Sequence, residues 1–411
     1  MTDGVQRWLG LVGRTASWPQ RLEAWVGSAT LPPRVSYCPS IAHLDAQVQH
    51  AAAPVVLLDG DLSVVDRDLL ADIAGAGGTP IVIEGTRRRL DWTALGAAAV
   101  LPQDFDRAQL LAVTAPAAPA TRADSPAAPL VAVTGPGGTG ASISAMALAQ
   151  GLAVTHRRVL VADCCLHAEQ AMLHNTHGSQ PSLIDLAELH AGRTPDERQV
   201  RQLALGIVER GYYLLPGLPR ARQWSRLRGP SLRATLTSLR AAFGLVVVDV
   251  DADVEGEAEG GSVEVEERNL LARTLLPDAD VTVVVGQPTM KGVYALVRTI
   301  VELLELGVRP RRMLPVLNQV GRDQRIRADL SRAVRNLTEG VAGGAGIGPV
   351  LFAPAVALED RLRERDPLPE ALTTMLAGAV SALLDRSDVG PPPATPTPVA
   401  AGAIGHWSDG S

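Results

Sequence analysis

The chain has 411 residues, and 46% of them are apolar, which is enough for sizeable cores and excludes a disordered chain. A formal net charge of −6 leaves no overall basic footprint for nucleic acid. No stretch approaches the ~18 apolar residues of a membrane span, and the start lacks the basic-then-apolar pattern of a secretory signal. Three cysteines (Cys38, Cys164 and Cys165) cannot build a disulfide framework, so a cytoplasmic location is expected. Lys and Arg total 38, yet Lys291 is the one lysine, so any chemistry that needs lysine elsewhere is excluded.

Residues 1–115 alternate short apolar runs with helical stretches. WLGLVG, RVSYC, PVVLLD, TPIVIE and AAVLP read as strands. Each is followed by a segment of helical period: PQRLEAWVG, IAHLDAQVQHA, RDLLADIAG, DWTALGAA and DRAQLLAV. Five such units predict a small parallel sheet with helices on both faces. Residues 116–128, rich in Ala and Pro, read as a linker. Residues 129–388 predict a second α/β domain with a mainly parallel sheet. Its strand candidates are LVAVTG, VLVAD, YYLLP, LVVVDVD, VTVVVG, MLPVLN and PVLFA. Two segments stand out within it. Residues 251–267 carry eight acidic residues and no basic one, and read as a solvated acidic insertion. Residues 309–335 carry eight arginines against two aspartates, either a solvated helix face or a patch for an acidic partner or DNA. The Pro-rich tail, 389–411, is expected to be disordered.

The strongest local signal is Gly135-Pro136-Gly137-Gly138-Thr139-Gly140-Ala141-Ser142, between a strand and a helix. The spacing is that of a phosphate-binding loop, G-x-x-x-x-G-K-[ST], with Ala141 where lysine belongs. The glycines let backbone N–H groups converge on a phosphate, and the helix N-terminus adds a favourable dipole. Gly135, Gly137, Gly138, Thr139, Gly140 and Ser142 are therefore the candidate nucleotide-binding residues. Asp163, Asp249 and Asn318 close or follow later strands in the same order along the chain. Taken singly, each reads as a helix cap or a turn residue. His167, His174 and His177 cluster near Cys164–Cys165, but C-C-x-H is not a zinc spacing.

The ordered set of glycine loop, Asp, Asp and Asn resembles the MinD/ParA family of deviant P-loop ATPases over roughly residues 130–386. The resemblance implies that Asp163 positions the attacking water and is the catalytic candidate. It implies that Asp249 and Ser142 serve Mg²⁺, and that Asn318 contacts adenine. ATP and Mg²⁺ are the implied cofactors. The two lysines of the family's loop are Pro136 and Ala141 here, and the second Asp of its D-x-D is Cys165. A charge-assisted hydrogen bond contributes ~1.5–3 kcal/mol, so one lost lysine weakens ATP about ten- to hundredfold. Weak or absent ATPase activity is therefore expected.

The first five units resemble a receiver domain, with Asp59 at the phosphoacceptor position and Thr86 at the hydroxyl position. The acidic pair is missing, since the first turn reads Val12-Gly13-Arg14-Thr15, and no lysine follows the fifth strand. Asp59 is thus a vestigial position, and this domain is expected to dock or dimerise. A degenerate receiver joined to such a P-loop domain resembles the CpaE/TadZ branch, which includes actinobacterial CpaE-like and septum site-determining proteins. The resemblance implies a non-catalytic or weakly nucleotide-binding positioning or scaffold protein. Its role would lie in septum-site determination or in localising Tad-type pilus or secretion machinery. The alternative is a slow ATPase whose nucleotide-driven dimerisation controls localisation. Implied partners are proteins of those assemblies and a second copy of the chain. The last helix, EALTTMLAGAVSALLDR, has too little positive charge for a direct membrane anchor, and the net charge disfavours DNA.

Overall fold

The computed structural model describes residues 7–26, 35–114, 127–176, 180–339 and 346–387. Most of the expected linker, up to residue 126, lies outside the described residues, as do His177 and the tail over 389–411.

Five parallel strands make the first sheet: β1 (Trp8–Leu11), β2 (Val35–Cys38), β3 (Val55–Asp59), β4 (Thr79–Ile83) and β5 (Ala99–Leu101). Their order is β2-β1-β3-β4-β5, a flavodoxin-type doubly wound arrangement. β3 is apolar up to Asp59 because both faces are covered. Leu44, Leu69 and Trp92 pack on one side, and Trp8, Trp18 and Phe105 on the other.

The second sheet has eight strands: β6 (Leu130–Thr134), β7 (Val159–Cys164), β8 (Leu205–Ile207), β9 (Tyr212–Leu215), β10 (Leu245–Val250), β11 (Val281–Gly286), β12 (Met313–Leu317) and β13 (Leu351–Phe352). They run β13-β12-β11-β6-β10-β7-β9-β8, all parallel except for the antiparallel β8–β9 pair. β8 has no signal in the sequence, since three residues that include Gly206 show no alternation. One face of the sheet is covered by the Ala141–Leu152 and Glu370–Ser387 helices. The other carries the Leu183–Gly192, Gly229–Ala242, Leu270–Asp278 and Met290–Glu305 helices. Leu372, Leu376 and Val380 of the last helix are buried in that first core. Among the described residues no helix is long and apolar enough to cross a membrane.

The acidic segment is solvent-exposed, as expected from its charge, but it is not a loop. It folds into two short helices, Glu257–Gly260 and Val263–Arg268. Its carboxylates satisfy local backbone donors: Gly256 N–H donates to Glu259 (2.9 Å) and Glu257 N–H to Glu266 (3.0 Å). Arg273 lies 3.7 Å from both glutamates and offsets their repulsion.

The two sheets are joined through the Arg67–Gly75 helix of the first. Buried Asp68 accepts from the Ser231 backbone N–H (2.9 Å) and from its hydroxyl (2.7 Å). Arg67 donates to the His190 carbonyl and to the Thr194 hydroxyl, both at 2.8 Å. Arg228 sits at the N-cap of the Gly229–Ala242 helix and supplies no side-chain cap. Asp68 therefore satisfies the orphan donor at the start of that helix from the other sheet.

Candidate functional site

β6 is the central strand of the second sheet, and it leaves the sheet at Thr134 into the glycine turn. Gly138 and Gly140 lie at φ +78° and +87°, the left-handed region that glycine enters without a Cβ penalty. A Cβ at Gly140 would also run into the Asn318 amide. The loop is pinned from behind. Asn318 Nδ2 donates to the Thr139 carbonyl and Gln287 Nε2 to the Gly138 carbonyl, both at 2.9 Å. The Thr139 hydroxyl donates to the Pro136 carbonyl at 2.8 Å. The N–H groups of Ala141, Ser142 and Ile143 then open a helix that offers them no internal partner.

β7 and β10 are neighbours, and their register sets Asp163 beside Asp249. Asp163 is fully buried. Its Oδ1 accepts from Cys165 N–H (3.2 Å) and its Oδ2 from Gln170 N–H (2.9 Å). The Gln170 side-chain amide donates to Asp249 Oδ2 (2.7 Å) and to the Ser142 carbonyl (3.0 Å). Burial pushes Asp163 up to about 7, and the neighbouring Asp249 charge adds to the rise. Burial also pushes Asp249 up to about 6, against hydrogen bonds from Gln170 and the Ser142 hydroxyl. The Cys165 thiol donates to the Asp249 carbonyl at 3.5 Å, and burial with the surrounding carboxylates pushes it upward, so it stays a thiol. Gln170 is itself fixed: His174 Nδ1 lies 2.6 Å from its carbonyl oxygen, which can only accept. The Nδ1–H tautomer follows, and His174 Nε2 accepts from the Tyr212 hydroxyl at 2.7 Å. Burial pulls His174 down to about 4, so it is neutral at pH 7.

A cleft of about 580 Å³ opens over these residues. The loop forms one wall and Asp249 to Asp253 the other. Glu169, Asp249, Asp251, Asp253 and Arg268 bring charge to it. Of the residues expected from the sequence, Gly135, Gly137, Gly138, Thr139, Gly140, Ser142 and Asp249 line this one cleft. Asp163 lies beneath its floor, and Asn318 lies behind the loop rather than in the cleft. His167 lines the cleft while His174 is turned into the core, so the two do not converge on one metal. The Ser142 hydroxyl and the Asp249 carboxylate are hard oxygen donors, and they fit Mg²⁺ with water completing its shell.

Asp59 belongs to the other sheet. It is buried, accepting from Gly13 N–H (3.0 Å) and Asp61 N–H (3.1 Å). Thr86 turns to Asp61 instead, through its N–H (2.9 Å) and its hydroxyl (3.2 Å). In the arginine-rich segment, Arg312 donates to the Ala279 carbonyl (3.2 Å) and Arg332 pairs with Asp329 (3.0 Å). The Arg327 guanidinium lies over the Phe352 ring, 5.5 Å from its centroid, within the range of a cation–π contact.

Sequence reading missed Gln170 and Arg268. Gln170 stands seven positions past Asp163 with no motif to mark it. Arg268 had one signal, as the first cation after the acidic run.

No family model matches the chain, and no curated protein matches it in sequence. Among solved structures it is similar to a ParA family ATPase from Chlorobium tepidum, at 17% identity over 64% of this chain and 100% of that one, with a TM-score of 0.43. It is also similar to the septum site-determining protein MinD of Pyrococcus horikoshii in complex with Mg-ADP, at 18% identity over 63% and 98% of the two chains and a TM-score of 0.46. A third is a single-residue variant of McdA from Cyanothece in complex with ATP, at 16% identity over 64% and 98%, with a TM-score of 0.45.

Proposed function

We propose that the chain is a positioning or scaffold protein of the MinD/ParA kind. It binds a nucleoside triphosphate weakly through backbone groups and hydrolyses it slowly or not at all. Its role lies in septum-site determination or in localising Tad-type pilus or secretion machinery, and it acts through protein partners and a second copy of itself. The observation that carries this reading is a glycine turn with left-handed Gly138 and Gly140, pinned by Asn318, that carries Pro136 and Ala141 where a phosphate loop of that kind would have its lysines. The loop N–H groups and the dipole of the Ala141–Leu152 helix favour an anion at that end of the cleft. Mg²⁺ would neutralise phosphate charge beside Ser142 and Asp249. Asp163 is poorly placed to orient water, being sealed under the floor with both oxygens held by backbone N–H groups. Without a lysine, little in the loop stabilises charge on a transferring phosphoryl group. A groove of about 540 Å³ between the Met290–Glu305 and Gln324–Glu339 helices exposes Met290, Tyr294 and Ile326, an apolar surface of the kind protein contacts use.

The test is a titration of the full chain with labelled ATP and Mg²⁺, with Asp249→Ala as control. Saturable binding weaker than about 100 μM, lost in the variant, with negligible phosphate release, is the expected result. Steady phosphate release abolished by Asp249→Ala would establish the slow-ATPase alternative. No binding up to millimolar nucleotide would leave the loop without a nucleotide role.

A further inference from the structure

Resting on the nucleotide-binding reading, we propose that Arg268 supplies the phosphate-facing cation that the loop lacks. Among the described residues lining the cleft, Arg268 is the one lysine or arginine, while Glu169, Asp249, Asp251 and Asp253 are acidic. These carboxylates oppose an incoming triphosphate and limit what the backbone dipoles alone can hold, so the position of this guanidinium matters. It closes the Val263–Arg268 helix, and its side chain is 49% exposed. Its carboxylate neighbour in the cleft is Asp253, at 3.9 Å, the outer limit of an ion pair. Asp253 is itself anchored, because its Oδ1 accepts from Asn269 Nδ2 (3.0 Å) and from Glu255 N–H (3.2 Å). The guanidinium is thus parked against a fixed carboxylate, loosely enough to leave it. A phosphate offers the planar fork two oxygens at once, a better match than a single carboxylate oxygen at long range. The acidic segment then has a use: it folds into the helix that carries one cation to the cleft mouth.

The test measures ATP and adenosine binding by fluorescence anisotropy with Mg²⁺ on the full chain. Arg268→Gln is expected to weaken ATP about tenfold or more while leaving adenosine unchanged. The residue is half exposed, so the thermal midpoint should stay at the wild-type value. Arg268→Lys should keep part of the affinity. Ala141→Lys in the Arg268→Gln background should recover it, since a cation returns to the phosphates from the loop side. Asp253→Asn should tighten ATP in the wild type and do less without Arg268. Arg268→Gln that binds ATP like the wild type overturns the proposal and leaves the nucleotide reading standing. A wild-type chain that binds no ATP overturns that reading, and the role of Arg268 falls with it.

Discussion

Gly137 and Gly140 belong to one loop but answer to different constraints. Gly140 is left-handed and would collide with Asn318 if it carried a Cβ. Gly137 has nothing within 4 Å of a Cβ position, and it lines the cleft. Gly140→Ala should therefore lower stability by about 1–2 kcal/mol or more, read as a lower urea midpoint. Gly137→Ala should leave that midpoint alone and weaken ATP, because its methyl enters space that a phosphate needs close to the backbone. Equal loss of stability in the two variants would contradict this division. Both glycines are visible in the sequence as a motif, yet the motif does not say which serves the fold and which the ligand. That distinction comes from β11 and β12, which run far away in sequence and close behind the loop.

At the scale of elements, the long apolar strands and the glycine turn are legible because their signal is local. β3, β6, β10 and β11 are buried along their whole length, and such runs announce a covered parallel sheet. The acidic helices are not legible, since their stability comes from carboxylates reaching back to backbone N–H groups and to Arg273. Gln170 is equally silent: its place between Asp163, Asp249 and Ser142 is a product of register, not of spacing. The joint between the two sheets also lies beyond sequence reading, because Asp68 and Ser231 stand 163 positions apart. Asp68→Ala leaves buried Ser231 without its partner, and should cost about 1–2 kcal/mol in denaturant unfolding. Asp72→Ala removes an exposed pair with Arg228 (3.2 Å, side chains 47% and 57% exposed) and should cost under about 1 kcal/mol. Reversed magnitudes would place the joint on its rim rather than on the Asp68 cap.

For the whole molecule, two buried acids and two buried histidines pull the pH dependence in opposite directions. Asp163 and Asp249 have folded pKa values raised from 3.8 to about 7 and about 6. Between roughly pH 4 and 7 the folded chain holds more of their protons than the unfolded one, so their contribution falls as pH rises. His174 and His190 are lowered from 6.5 to about 4 by burial, with Arg67 adding to the effect at His190. Their contribution is lost as pH falls from about 6.5 to 4. Across that shared window the two effects offset, and the thermal midpoint should vary little on their account. Asp163→Asn should tilt the curve so that stability rises with pH, and His190→Gln should tilt it the other way. The slope is the readout, since each substitution also alters a hydrogen bond and shifts the level. Parallel curves for the wild type and both variants would refute the assignment.

Asp68 has a consequence for how the molecule is made. A ribosome delivers residues from the N-terminus, so the first sheet is outside and able to fold before Ser231 emerges. The carboxylate that finishes the first turn of the Gly229–Ala242 helix is therefore waiting for that turn. Were the gene rearranged to translate the second sheet first, the helix would leave the ribosome with the Ser231 N–H held by water instead of by Asp68. The order in which the two halves are written therefore makes the Asp68 carboxylate available to that helix as it forms.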